Sequence, residues 1–317
     1  MLSLQEIEDA ARVVHAAMPP TPQYAWPLLA RRTGCETWVK HENHTPIGAF
    51  KVRGGLVYMD RLARTARPAG VVSATRGNHG QSIAVGAARA GIPATIVVPH
   101  GNSVEKNAAM RAFGAELIEE GHDFDAARGA AERLARERGL HMVPSFHRDL
   151  VAGVASYGLE LFRAAPPLDT VYVPIGLGSG ICGVIAARDA LSPATRVVGV
   201  VSTGAPAYAL SFAAGKVVAT NSVDTMADGM AVRGPDAEAL SIILKGADRI
   251  VSVSDAEIEA AMRAYFEDTH QVTEGAGAAA LAALLQERDR LAGRRVGLIL
   301  SGGNIDRPVY RRVLADG

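Results

Sequence analysis

The sequence predicts an α/β protein built on a largely parallel sheet. From residue 36 onward, short β-branched runs alternate with longer alanine-rich stretches of helical period, the order that βα units impose. The runs are apolar along nearly their whole length, as strands are when helices cover both faces of a sheet. Polar and glycine-rich segments follow several of these runs, and ligands gather at the carboxyl ends of strands in open α/β sheets.

The elements follow in order. Ser3-Leu-Gln-Glu6 has the spacing of a capping box and opens a first helix reaching about Ala17. Pro19, Pro20 and Pro22 end it. Strands are expected at Thr37–His41, Gly70–Ala74, Thr95–Val98, Glu116–Ile118, Thr170–Pro174, Arg196–Val201, Arg249–Val253 and Arg295–Leu300. Helices are expected at Asn78–Ala90, Val104–Phe113, Asp125–Arg138, Leu150–Arg163, Gly180–Ala190, Asp255–Phe266 and Gly277–Gln286. The segment from Thr203 to Arg233 is the least regular and reads as a surface excursion. A chain of 317 residues is long enough for about two lobes. No linker separates them, so two interleaved lobes are expected rather than two beads on a string.

Composition narrows the function. Lys plus Arg equals Asp plus Glu at 33 each, so the basic surplus of a nucleic-acid binder is missing. Cys35 and Cys182 stand far apart, without the spacing of a disulfide framework or structural zinc site, which fits a reducing compartment. Nine histidines are scattered without ligand spacing, so no metal site is expected. The acidic, amphipathic start at Leu4 is unlike a signal peptide. No apolar run approaches the roughly 20 residues of a membrane helix. A cytoplasmic protein with no membrane partner is expected.

Lys51 is the most informative residue. It lies among small and apolar neighbours in Ala49-Phe-Lys-Val-Arg-Gly-Gly55, with Arg53 two positions on. Desolvation and a nearby cation both favour a free amine, which attacks aldehydes. The ordinary alternative is a solvated lysine in the first turn of a helix. Three further segments follow strands. Ser73-Ala-Thr-Arg-Gly-Asn-His79 precedes a helix and suits a carboxylate, through backbone N–H groups at the helix N-terminus, or simply caps that helix. Pro174-Ile-Gly-Leu-Gly-Ser-Gly180 can curl around a phosphate. Gly178 to Gly183 also satisfies G-x-G-x-x-G, so a dehydrogenase with a dinucleotide site stays open. However, the next strand ends at Ser202 and Thr203 without the acid that such a site wants. Leu300-Ser-Gly-Gly-Asn304 is either a plain turn or a serine presented at the sheet edge.

Together, and in this order, these motifs resemble the fold type II enzymes that depend on pyridoxal 5′-phosphate, the tryptophan synthase β-like class. Within it they resemble the serine/threonine dehydratase and serine racemase group. The resemblance runs from about Pro27 to Asp306. It implies two lobes, each with a helix-flanked, mostly parallel sheet. Residues 1–50 with 149–317 would form the larger, cofactor-binding lobe, and 51–148 the smaller lobe with the substrate loop. Lys51 resembles the Schiff-base lysine and Phe50 the ring-flanking phenylalanine. Asn78 resembles the partner of the cofactor's 3′-oxygen, and Gly176, Leu177, Gly178, Ser179 and Gly180 the phosphate cradle. Ser301 is similar to the partner of the pyridine nitrogen, and Gly229 and Glu274 match two further pocket positions. The resemblance assigns substrate contacts to Ser73, Thr75, Arg76, Gly77, Asn78 and His79.

The implied reaction is β-elimination from a small β-hydroxy amino acid, by default L-threonine or L-serine, giving a 2-oxo acid and ammonia. Lys51 would take the Cα proton, and the cofactor phosphate would protonate the departing hydroxyl. Hydroxyaspartate, phenylserine and a hydroxyectoine-pathway intermediate stay open as substrates. Arg76 departs from the group, which commonly has serine there, the second acid/base of racemases. A guanidinium is a poor base, which counts against serine racemase. Arg76 either pairs with a carboxylate of the substrate, a second one included, or points into solvent. The acids that bind a divalent cation in some relatives are missing after Val200, where the chain reads Val201-Ser-Thr-Gly-Ala. The chain ends at Gly317, soon after the last strand, so the C-terminal regulatory domain of biosynthetic threonine dehydratases is not expected. Relatives imply a homodimer.

Overall fold

The computed structural model describes residues 2–315. Ten strands form two sheets: β1 (Gln23–Ala25), β2 (Glu36–His41), β3 (Val71–Ala74), β4 (Ala94–Val98), β5 (Glu116–Glu119), β6 (His141–Met142), β7 (Thr170–Pro174), β8 (Arg196–Ser202), β9 (Arg249–Val253) and β10 (Arg295–Leu300). One sheet has the order β1-β2-β10-β7-β8-β9 and the other β5-β4-β3-β6. Every pairing is parallel except β1 with β2. The eight anticipated strands are all present, with ends shifted by at most one residue. The short strands β1 and β6 were not anticipated.

Helices cover both sheets. In chain order they are α1 (Leu4–His15), α2 (Pro27–Thr33), α3 (Lys51–Thr65), α4 (Asn78–Ala90), α5 (Val104–Ala112), α6 (Phe124–Arg138), α7 (Arg148–Ala164), α8 (Ser179–Leu191), α9 (Ala207–Ala214), α10 (Ala237–Gly246), α11 (Asp255–Thr269), α12 (Gly275–Leu291) and α13 (Arg307–Ala315). The capping box forms at α1: Ser3 Oγ accepts from the Glu6 N–H, and the Glu6 carboxylate accepts from the Ser3 N–H at 2.8 Å. The segment from Thr203 to Arg233 is less irregular than expected, since it contains α9 and a 3₁₀ turn at Asp228–Met230. Among the described residues, no helix is long and apolar enough to cross a membrane.

Two packing features position the site. First, α12 is buried almost all round because its alanines let it lie close against the six-stranded sheet. Second, α3 lies between α4 and α7. Small residues permit this approach: a Cβ on Gly86 of α4 would come within 2.6 Å of the Gly55 carbonyl oxygen of α3. The apolar face of α3 and α4 packs on one side of the four-stranded sheet, and α6 covers the other.

Beneath α3 lies a buried ionic cluster. The Arg53 guanidinium, fully buried, donates to Glu42 Oε2 at 2.7 Å and Oε1 at 2.9 Å. It also donates to Glu160 Oε1 at 2.6 Å and Ser156 Oγ at 2.9 Å. Lys40 Nζ completes the cluster, donating to Glu160 Oε2 at 2.6 Å. Two cations thus face two carboxylates, which is how a core tolerates charge. The cluster ties the first turns of α3 to α7 and to the residues after β2.

Candidate active site

Lys51 is placed by backbone pairing rather than by helix propensity. An antiparallel bridge joins Ala49 to Gly302, just after β10. The Phe50 N–H donates to the Ser301 carbonyl at 3.0 Å, and the Gly303 N–H to the Gly48 carbonyl at 2.9 Å. Ser82 Oγ on α4 donates to the Lys51 carbonyl at 2.6 Å. The start of α3 is therefore fixed on two sides, and the Lys51 side chain points toward the segment after β7. Its Nζ donates to Ser179 Oγ at 3.0 Å. Burial pulls the Lys51 pKa down from 10.5 to about 8. The expected contribution of Arg53 is absent, because that guanidinium turns into the buried cluster, where Glu42 and Glu160 neutralise it. The cause is desolvation alone.

The segment Gly176–Gly180 joins β7 to α8. A Cβ on Gly176 would overlap the Gly229 carbonyl oxygen, and Gly178 has a φ of +103° at the N-cap of α8. These positions require glycine and leave backbone N–H groups at a helix N-terminus, an arrangement suited to a phosphate. Strands β7 and β10 are neighbours where the connections of the sheet change direction, the crevice in which such sheets bind ligands. Ser301, which follows β10, is therefore brought next to the glycine segment.

The four-stranded sheet contributes the segment after β3. Thr75 Oγ1 accepts from the Gly77 N–H at 2.9 Å and the Gly80 N–H at 3.2 Å, which shapes the turn into α4. Asn78 Nδ2 donates to Glu274 Oε1 at 2.7 Å, and Asn78 Oδ1 accepts from Asn304 Nδ2 at 2.8 Å. Burial pushes the Glu274 carboxyl pKa up, against the opposing pull of Lys106. Lys106 Nζ lies 3.3 Å from Glu274 Oε2 and 3.9 Å from Asp228 Oδ2. The Lys106 stem passes so close to Gly77 that a Cβ there would overlap it. Burial, and then Lys51, hold the His79 pKa down at about 3, so His79 is neutral at pH 7. Arg76 Nε and His79 Nε2 are buried without hydrogen-bond partners.

All these segments open on one cavity of about 990 Å³. It is lined by Phe50, Lys51, Thr75 to His79, Gly176 to Gly180, Gly229, Glu274 and Ser301. Ser73 is the exception among the anticipated residues: it lies inside β3, buried, with its hydroxyl donating to the Val143 carbonyl at 3.2 Å. It sits inside β3, short of the strand's carboxyl end, and so does not reach the cavity. Lys106 and Asp228 line the cavity but were not anticipated. Asp228 adjoins Gly229 in a segment already singled out, whereas Lys106 sits in an unremarkable helix and carries no motif.

A buried amine with a lowered pKa, facing a glycine cradle across a cavity of this size, fits pyridoxal phosphate: an aldehyde for the amine and a phosphate for the cradle. Residues 14–302 match the family model of pyridoxal-phosphate dependent enzymes. The chain belongs to that family. Among curated relatives of this pyridoxal-phosphate dependent enzyme, the L-threonine ammonia-lyase of Thermotoga maritima is 35% identical, over 100% of this chain and 79% of that one. The L-threo-3-hydroxyaspartate ammonia-lyase of Saccharomyces cerevisiae is 32% identical, over 98% of this chain and 95% of that one. Among solved structures, maize serine racemase superposes with a TM-score of 0.92 at 28% identity, covering 99% of this chain and 97% of that one. The fold is that of the fold type II pyridoxal-phosphate enzymes, and the cofactor is pyridoxal 5′-phosphate. The dinucleotide alternative raised by Gly178 to Gly183 is thereby set aside.

Proposed function

We propose that this chain is a pyridoxal-phosphate dependent ammonia-lyase that eliminates water from a small β-hydroxy amino acid, with L-threonine and L-serine as the reference substrates. The products are a 2-oxo acid and ammonia. The observation that carries this reading is the amine of Lys51, at a pKa of about 8, held 3.0 Å from Ser179 Oγ in the cavity shared with the turn after β3. When bound, the cofactor supplies an electron sink for the charge left at Cα. Lys51 would hold the cofactor, and its amine would take the Cα proton. The backbone N–H groups of Arg76, Asn78 and His79, at the start of α4, would hold the substrate carboxylate. Gly176 to Gly180 would hold the phosphate, with Leu177 and Ser179 contributing through their backbone. Phe50 would flank the cofactor's ring, and Asn78 would hold its oxygen. Ser301 would partner the ring nitrogen, and Gly229 and Glu274 would complete the pocket.

Arg76 argues against racemisation, which needs a second acid/base across from the lysine, because a guanidinium does not give up its proton. The two sheets support a division into a larger lobe, 1–50 with 149–317, and a smaller lobe, 51–148. A homodimer and a cytoplasmic location complete the proposal. The free, buried Cys35 and Cys182 suit a reducing compartment, and light scattering on the purified protein reads the oligomeric state. The deciding assay is ammonia release from a panel of β-hydroxy amino acids by the holoenzyme. Release that disappears in Lys51→Ala supports the proposal. No release from any member of the panel, or serine interconverted between L and D forms faster than pyruvate appears, refutes it.

A further inference from the structure

Arg76 is the charged residue of the turn after β3, and its side chain is poorly matched by its surroundings. A guanidinium has five N–H donors in a rigid fork. The Arg76 guanidinium has a single ionic contact, Nη2 to Asp228 Oδ1 at 3.5 Å, which is too long for a good hydrogen bond. Its Nε is buried with no partner, and a buried N–H in that state is costly unless a ligand completes it. Its side chain is 40% exposed, and Arg76 lines the cavity. Other arginines on this wall are engaged: Arg233 pairs with Asp125 and Asp123, and Arg128 with Glu132. Asp228 is itself shared, since Lys106 Nζ approaches its second oxygen at 3.9 Å.

We infer that Arg76 is a specificity-determining residue that receives a second carboxylate, on the substrate side chain, so that the site prefers a dicarboxylic β-hydroxy amino acid over L-serine or L-threonine. This rests on the ammonia-lyase reading above and names the substrate class within it. The chemistry follows from shape and charge. The fork of a guanidinium matches the two oxygens of a carboxylate, and no methyl or hydroxyl group offers that match. The α-carboxylate has its own donors in the backbone N–H groups at the start of α4, which leaves the side chain of Arg76 for a different group. Asp228, 3.5 Å from Nη2, keeps the guanidinium loosely aimed between turnovers, and a substrate carboxylate displaces it at hydrogen-bonding distance.

The test compares kcat/KM of the holoenzyme for L-threo-3-hydroxyaspartate and for L-serine, in the wild type, Arg76→Gln and Arg76→Lys. Removing a charge-assisted pair should cut the ratio of the two values about 10- to 100-fold in Arg76→Gln. Arg76→Lys should recover part of that loss, because it keeps the charge but not the fork. Asp228→Asn supplies an independent reading: it should raise the ratio by freeing Arg76, and the rise should vanish when combined with Arg76→Gln. An equal loss for both substrates in Arg76→Gln would overturn the inference by assigning Arg76 to the α-carboxylate. Weaker cofactor binding with an unchanged ratio would overturn it in favour of the phosphate. If no β-hydroxy amino acid releases ammonia from the wild type, the ammonia-lyase reading fails instead, which is a separate outcome.

Discussion

The pKa of Lys51 makes stability depend on pH in a way that one substitution can isolate. Burial lowers the pKa from 10.5 to about 8. Between pH 8 and 10.5 the unfolded chain therefore keeps a proton on this amine that the folded chain has released. Stability rises with pH wherever the unfolded state binds more protons. Across that window the slope is about 1.36 kcal/mol per pH unit, a total of about 3 kcal/mol. The same quantity is the cost of the buried ammonium below pH 8. In Lys51→Met the side chain keeps similar bulk and loses the titration. Denaturant unfolding of the cofactor-free protein at pH 7, 8.5 and 10.5 reads the effect. The wild type should gain about 3 kcal/mol relative to Lys51→Met between the first and last pH, because other titrating groups are common to both proteins. A difference constant within about 1 kcal/mol would mean that Lys51 is not desolvated, and the reason for its reactivity would fall with it.

Further outcomes follow from the same geometry. Gly176→Ala, whose Cβ would overlap the Gly229 carbonyl oxygen, should weaken pyridoxal phosphate binding at least tenfold in a spectroscopic titration, since the cradle must open by a fraction of an ångström or more. Arg53→Met takes the guanidinium from buried Glu42 and leaves Glu160 to Lys40, and should cost about 3–5 kcal/mol of unfolding free energy, measured in denaturant. His79, neutral when folded with a pKa of about 3, binds its proton more readily once unfolded. Its contribution to stability should be complete above pH 6.5 and fall steadily from there toward pH 3. A His79→Gln variant should lose that part of the acid sensitivity in the same unfolding assay.

The parts of the fold legible in sequence were those with a local cause. The capping box at Ser3, the apolar runs of the buried strands and the glycines after β7 each act within a few residues. Strands β1 and β6, of three and two residues, exist because a neighbouring strand offers hydrogen bonds, and they are too short for a period to register. Helix α3 carries Gly54 and Gly55, which lower helix propensity but permit close contact with α7 and α4. At the site, Lys51 and the glycine segment were legible because their chemistry is unusual for their surroundings. Ser73 lies inside β3, where its hydroxyl is spent on the Val143 carbonyl, and only the residues at the strand's carboxyl end reach the cavity. Lys106 was invisible because its meaning lies in what it reaches: Glu274 stands 168 positions away in sequence and 3.3 Å away in space. Arg53 stands two positions from Lys51 in sequence, but its partners, Glu42 and Glu160, come from two other elements.

The most direct test is to identify the amine that carries the cofactor. Borohydride treatment of the holoenzyme fixes pyridoxal phosphate to the lysine that holds it, and peptide mapping by mass spectrometry then names that residue. The modified peptide should contain Lys51, and cofactor-free protein should take up the cofactor faster as pH rises through about 8. Modification at Lys106, whose amine lines the same cavity, or no modification at all, would contradict the assignment of Lys51.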